Sequence, residues 1–125
     1  MPNSKISAIV LGMTFVAVGI LGFIPNPLVS ETGIFVTNAM HNLVHLITGG
    51  VFLLAMVMPG KETRIITGIG AAYVVVSIVG FLTGGDTMLG LIHINQADKW
   101  LHVALAIGIL GIAYLAPAQG STVEE

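Results

Sequence analysis

Two short polar segments carry the residues whose types and spacing could do chemistry. His41 and His45 stand four residues apart in an otherwise apolar stretch, and Asp98 and His102 repeat that spacing later in the chain. Side chains four residues apart lie on one face of a helix. Three imidazoles and a carboxylate form a ligand set for zinc, copper or iron. His45 and His102 alone would suit the two axial ligands of a haem b.

A purely structural role explains the same residues. Polar side chains inside membrane helices are costly and usually pair with each other. Asn38, Asn42 and Asn95 stand beside the histidines and extend this polar cluster. We therefore expect a small accessory or structural subunit held by a histidine-centred cluster. The alternatives are a haem- or metal-binding membrane protein that uses His45 and His102, and then a proton-coupled transporter.

The composition is that of a polytopic membrane protein. Hydrophobic residues make up 55% of the chain and charged residues only 8%, whereas soluble domains carry about 25% charged residues. The mean hydropathy is +0.99. A formal net charge of −2 without a basic stripe excludes a nucleic-acid partner. The absence of cysteine excludes disulfides, iron–sulfur clusters and thiolate ligands.

Four apolar segments are each about long enough to cross a bilayer as a helix. They are predicted to run from Ile6 to Ile24, from an N-cap at Asn38 to Met58, from Thr63 or Thr67 to Leu82, and from an N-cap at Asn95 to Leu115. The charged residues Lys61, Glu62 and Arg64 are assigned to a turn. Residues 1–125 are predicted to form one membrane domain, and residues 116–125 are predicted to be a disordered tail.

The two halves of the chain are related by an internal repeat. At a nearly constant offset, the matched pairs are Gly12 with Gly70, Phe15 with Tyr73, Gly22 with Gly80, Asn38 with Asn95, His41 with Asp98 and His45 with His102. Chance apolar similarity would not match glycine, asparagine and histidine in order. We predict an all-α integral membrane fold of four transmembrane helices. Two parallel helical-hairpin repeats, residues 6–58 and 63–115, would be related by a pseudo-two-fold axis along the membrane normal.

Small residues at four-residue spacing are expected to let the helices approach closely. These pairs are Ala8 with Gly12, Gly68 with Ala72, and Ala104 with Gly108.

The positive charges predict the orientation. Lys5, Lys61 and Arg64 fall on the side of the termini, and Lys99 falls on the other side. Both termini are therefore expected in the cytoplasm.

The sequence shows no catalytic residue, which favours a protein without enzymatic activity. Thr48 and Ser77 are predicted to bond the helix backbone rather than act as nucleophiles. Glu62 is isolated, and no Glu-x-x-His pattern of a diiron site is present. His93 lies in a predicted lid segment outside the duplicated core and is a lesser ligand candidate.

These segments also resemble a known family. The sequence H-N-L-V-H at 41–45, followed by A-D-x-W-L-H at 97–102 and preceded by G-F-I-P at 22–25, is similar to an uncharacterised bacterial family of small four-helix membrane proteins, described as a domain of unknown function. The resemblance covers residues 6–115. It implies four helices in the bacterial cytoplasmic membrane and no particular activity. Lys99 departs from the family pattern, which puts a buried position for residue 99 in doubt.

The expected partners follow from the apolar surface. We expect the chain to contact the lipid bilayer and either a larger membrane complex or further copies of itself in a homo-oligomer.

Overall fold

The computed structural model describes residues 3–116 and contains four long helices. They are α1 (Ser4–Leu21), α2 (Ala39–Leu53), α3 (Glu62–Leu82) and α4 (Gln96–Leu115). A 3-10 helix (Leu54–Met56) extends α2. Four helical segments are long and apolar enough to cross a membrane, which indicates a membrane protein. The predicted disordered tail lies, from residue 117 onward, outside the residues that the structure describes.

The two predicted asparagine caps are confirmed. Asn38 precedes α2 and its Oδ1 accepts the N–H of His41 at 3.0 Å. Asn95 precedes α4 and its Oδ1 accepts the N–H of Asp98, also at 3.0 Å. Both caps have φ −127° and ψ −177°. Such a cap satisfies one of the N–H groups that a helix start leaves unpaired.

The predicted start of α3 is wrong. The helix begins at Glu62, after a Lys61 whose side chain makes no capping hydrogen bond. Thr63 and Thr67, predicted as starting residues, therefore lie within the helix. The assignment of Glu62 and Arg64 to a turn is wrong as well, because both lie in the first turn of α3, where the Glu62 side chain is only 2% exposed.

The predicted ends of the first two helices are slightly long. Helix α1 ends at Leu21 rather than Ile24, and the 3-10 turn after α2 ends at Met56 rather than Met58.

Short strands order the two loops at one end of the bundle. Between α1 and α2, β1 (Val29–Ser30) pairs in parallel with β2 (Phe35–Val36). Between α3 and α4, β3 (Thr87–Met88) pairs antiparallel with β4 (Ile92–His93). These loops lie directly over the N-terminal ends of α2 and α4, so they position the residues that follow each asparagine cap.

Helices α1 and α2 pack closely because glycines face each other. A Cβ added at Gly49 would lie 2.6 Å from Val16 Cγ2 and 2.8 Å from the carbonyl oxygen of Gly12. Helix α3 approaches α4 at Gly70, where an added Cβ would lie 2.6 Å from Leu110. The apolar core between the two helix pairs consists mainly of Ala8, Phe15, Phe52, Ala55, Ile66, Ile69, Tyr73, Ala106 and Ile109.

The packing role predicted for the small-residue pairs holds for only one of them. Ala8 and Gly12 are buried, as expected. The other four residues, Gly68, Ala72, Ala104 and Gly108, are exposed, and an added Cβ at Gly68 or Gly108 would meet nothing within 4 Å. The spacing was right for a helix face, but helix rotation turns that face away from the neighbouring helices.

Gly49 and Gly50 provide a matched test of the α1–α2 contact. Gly49→Ala places a methyl group against backbone atoms that cannot move aside, so we expect a loss of about 1–3 kcal/mol in unfolding free energy. Gly50→Ala is the control, because an added Cβ there meets nothing within 4 Å. Denaturation of the detergent-solubilised protein measures both. Equal stability of the two variants would contradict the packing described here.

Candidate functional site

Three of the predicted ligands come together between the two hairpins. His41, His45 and His102 each offer a ring nitrogen, and these nitrogens all lie within 4.8 Å of one another. The three side chains are 1%, 4% and 3% exposed. His41 follows the cap of α2 closely, and His45 lies about 10 Å along the helix from Asn38, at about 1.5 Å per residue. The site is thus inside the bundle, near the loop end.

The imidazole rings contact each other and two aromatic side chains. The centroid of the His41 ring is 4.6 Å from that of His45 and 5.6 Å from that of His102. Phe15 meets His45 edge-on at 6.0 Å, and Tyr73 meets His102 edge-on at 5.9 Å. These contacts limit how far the rings can turn, so the ligand atoms are held in one region.

A backbone carbonyl fixes the tautomer of His41. Its Nδ1 lies 2.6 Å from the carbonyl oxygen of His93. A carbonyl can only accept, so Nδ1 carries the proton and Nε2 carries the lone pair. That Nε2 is buried and has no hydrogen-bond partner among residues 3–116. Metal-binding histidines commonly have their second ring nitrogen oriented in this way.

His45 also has an unpaired nitrogen. Its Nδ1 is buried and, within the described part of the chain, has no hydrogen-bond partner. A polar atom buried without a partner costs about 1–3 kcal/mol. The cluster therefore contains two buried ring nitrogens, His41 Nε2 and His45 Nδ1, that the described residues leave unpaired.

A small cavity adjoins the cluster. It has a volume of about 50 Å³ and is lined by the three histidines, Tyr73, Met88 and apolar side chains. This is ample for a metal ion. It is much smaller than the cavities of about 300–1,000 Å³ that usually hold drug-sized ligands and cofactors. The His41 ring also lies against both His45 and His102, where a macrocycle would have to pass. The geometry favours an ion over haem.

Asp98, the fourth predicted ligand, is not a member of the histidine group. Its side chain is 1% exposed, and its Oδ2 is buried without a partner in residues 3–116. It lies in the first turn of α4, one turn before His102. The structure therefore brings together three of the four predicted ligands.

The asparagines join the two loops across the cluster. Asn38 Nδ2 donates to the carbonyl of Leu91 at 2.9 Å, and Asn95 Nδ2 donates to the carbonyl of Ile34 at 2.8 Å. Each cap thus bonds the loop of the other hairpin. Asn42 has a different place: it is 2% exposed and packs where a Cβ at Gly22 would be.

The variant Asn38→Asp separates the two roles of Asn38, which are to cap α2 and to bridge to the carbonyl of Leu91. The carboxylate still accepts the N–H of His41 but cannot donate to Leu91, so we expect a loss of about 1 kcal/mol in unfolding free energy. Asn38→Ala loses the cap as well, which adds a further ~1 kcal/mol. Denaturation curves of the two variants measure the difference. If Asn38→Asp is as stable as the unmodified protein, the bridge contributes nothing.

His93 contributes its backbone rather than its ring. Its side chain is exposed, its carbonyl orients His41, and its N–H donates to Asn38 Oδ1 at 3.3 Å. The sequence predicted a lid segment outside the duplicated core here, with His93 as a lesser ligand candidate, and gave no sign of the role of the carbonyl.

The predicted backbone-bonded hydroxyls are confirmed. Thr48 Oγ1 donates to the carbonyl of Val44, and Ser77 Oγ donates to that of Tyr73, both at 2.8 Å. Thr48 Oγ1 also lies 3.2 Å from the hydroxyl of Tyr73. These contacts give the hydroxyls of Thr48 and Ser77 hydrogen-bond partners, as expected for residues that bond the helix backbone.

A larger cavity lies elsewhere, beside the end of α1. Its volume is about 240 Å³, and Gly22, Ser30, Glu31, Thr32 and Asn42 are among its lining residues. The grouped metal-ligand atoms found in the described residues adjoin the smaller cavity instead.

The chain matches a family model. The family described as "Domain of unknown function (DUF4383)" matches residues 5–115. The chain belongs to this family. The match spans all four helices and every residue of the histidine cluster, and it agrees with the resemblance drawn from the segments at 41–45 and 97–102. No curated protein and no solved structure matches the chain.

Membership of DUF4383 assigns no activity. The chemistry of the three buried histidines is therefore the basis for a functional conclusion.

Proposed function

We propose that the chain is a membrane protein that binds one transition-metal ion through His41, His45 and His102. The observation that carries this proposal is the pair of buried ring nitrogens, His41 Nε2 and His45 Nδ1, without partners among the described residues. Both belong to a group of three imidazoles whose ligand atoms lie within 4.8 Å of one another. An ion bound by this group would be held by one ring nitrogen of each imidazole.

The distances support an ion after a small adjustment. Nitrogen–metal bonds are about 2.0–2.1 Å in zinc sites, which places tetrahedral ligand atoms about 3.4 Å apart. The present group lies within 4.8 Å, so inward movements of about 1 Å suffice. Three histidines leave a fourth position open, as in catalytic zinc sites and unlike a closed structural site.

A structural role is the second candidate, because the asparagine bridges support it. Asn38 and Asn95 join the two loops without help from the histidine rings. In that role the protein is an accessory subunit, held by its polar cluster and docked on a larger membrane complex or on a second copy. The unpaired nitrogens of His41 and His45 disfavour a structural role for the histidine rings themselves. If the rings held the helices together, these nitrogens would be hydrogen-bonded.

Proton-coupled transport has less support. Beyond the cluster, the core between the helices is formed by side chains such as Phe15, Phe52, Ile66 and Ile69. Among the described residues, these provide no chain of titratable groups toward the other end of the bundle.

We also infer two parallel hairpin repeats in a bacterial cytoplasmic membrane, with both termini in the cytoplasm. The reciprocal bonds of Asn38 and Asn95, and their matching backbone angles, support the repeat. The distribution of Lys5, Lys61 and Arg64 supports the orientation. Cysteine labelling of each loop in intact cells tests it.

The decisive test of the metal proposal is a titration. Detergent-purified protein is stripped with a chelator, loaded separately with Zn²⁺ and with Cu⁺ kept reduced, and analysed for metal after desalting. The proposal expects one ion per chain. Metal-free protein after loading, at full stability, would favour the structural role instead.

A further inference from the structure

One further side chain with a metal-ligating atom lines the histidine cavity. Met88 is 4% exposed and faces the same space of about 50 Å³ as the three histidines. The remaining lining residues are apolar, apart from Tyr73. The Tyr73 hydroxyl lies 3.2 Å from Thr48 Oγ1 and so has a partner already. The Met88 thioether is therefore the candidate for the open fourth position.

The β3–β4 hairpin positions this methionine together with His41. Met88 ends β3 and pairs with Ile92, while Thr87 pairs with His93. The His93 carbonyl fixes the tautomer of His41, and the Leu91 carbonyl accepts from Asn38. The β3–β4 pair thus orients His41 through the His93 carbonyl and places Met88 in the wall of the same cavity.

We propose that Met88 is a ligand to the metal and makes the site selective for copper in its cuprous state over zinc. This inference rests on the proposed metal-binding function and names the ion class. Thioethers are soft ligands that select Cu⁺, whereas zinc sites use thiolate, imidazole or carboxylate ligands.

The charge of the ligand set also favours Cu⁺ over Zn²⁺. Three neutral imidazoles and a thioether supply no negative charge. A cation buried in a medium of low dielectric is costly unless it is compensated, and the Born cost of solvation rises steeply with charge. A monovalent ion is therefore better suited to these ligands than a divalent one.

Met88→Leu tests the proposal, since it keeps the volume and removes the sulfur. We expect the affinity for Cu⁺, measured by competition with a chromogenic chelator, to fall by about tenfold or more, and the affinity for Zn²⁺ to stay within about twofold of the unmodified value. X-ray absorption of the copper-loaded protein should show a sulfur neighbour that is lost in Met88→Leu. Met13→Leu is the matched control, because Met13 is 61% exposed on α1.

The possible results test the Met88 ligand separately from the metal-binding function on which it rests. If Met88→Leu changes neither the copper affinity nor the absorption spectrum, the thioether ligand is wrong while the histidine site stands. Tighter binding of Zn²⁺ than of Cu⁺ by the unmodified protein would overturn the selectivity alone. If the unmodified protein binds neither ion, the metal-binding function itself is overturned.

Discussion

Replacing His45 and His102 together with alanine is expected to abolish metal binding. The double variant keeps only the His41 imidazole and the Met88 thioether of the proposed ligands, and two neutral ligands cannot hold a transition metal against water and buffer. The loaded protein should fall from one ion per chain to none by elemental analysis. This is the largest effect expected of any substitution in the chain, because the two residues come from different helix pairs and both are buried.

Folding controls make that result interpretable. His45 packs edge-on against Phe15, and His102 against Tyr73, so truncation removes contacts as well as ligands. His45→Gln with His102→Gln keeps more of the volume and should lose the metal equally. Helical content and a monodisperse elution profile show whether each variant is folded.

His93→Ala is the matched control for a histidine that is close but is not a ligand. Its ring is exposed, and the backbone carbonyl that orients His41 survives the substitution. We expect full metal occupancy. A folded His45 and His102 double variant that retains its metal, or a His93→Ala variant that loses it, would refute the assignment of ligands.

The asparagine caps could be predicted because their signals are local. In an N-cap, a side chain accepts a hydrogen bond from the backbone N–H three residues later in the chain. Asn38 stands three residues before His41, and Asn95 stands three residues before Asp98. The start of α3 has no such signal. Lys61 makes no side-chain cap, so Thr63 and Thr67 were misleading, and the burial of Glu62 depends on packing from other helices.

The histidine site could be predicted in part for the same reason. The four-residue spacings place His41 with His45, and Asp98 with His102, on one face of each helix. How α4 packs against α2 decides that His102 joins the group and that Asp98 does not. Two other features of the site, the His93 carbonyl and Met88, could not be predicted from the sequence. Every residue has a carbonyl, so nothing distinguishes that of His93. Met88 belongs to a two-residue strand, and a methionine in an apolar chain is usually read as core packing.

Metal removal is expected to destabilise the protein measurably. An ion that binds only the folded state adds about 2.7 kcal/mol to the unfolding free energy when its free concentration is 100 times its dissociation constant. Chelation removes that term and returns His41 Nε2 and His45 Nδ1 to their unpaired state. We therefore expect denaturation of the loaded protein to shift to lower temperature or denaturant after a chelator is added.

The His45 and His102 double variant decides what such a shift means. It has no site to lose, so its denaturation should be the same with and without chelator. A shift of equal size in both proteins would show that the chelator acts elsewhere. If neither protein responds, and the double variant is as stable as the unmodified chain, then the asparagine bridges rather than the histidines hold the hairpins together. The three imidazoles would then need a role other than metal binding or structure, because their burial with unpaired nitrogens would contribute nothing to stability.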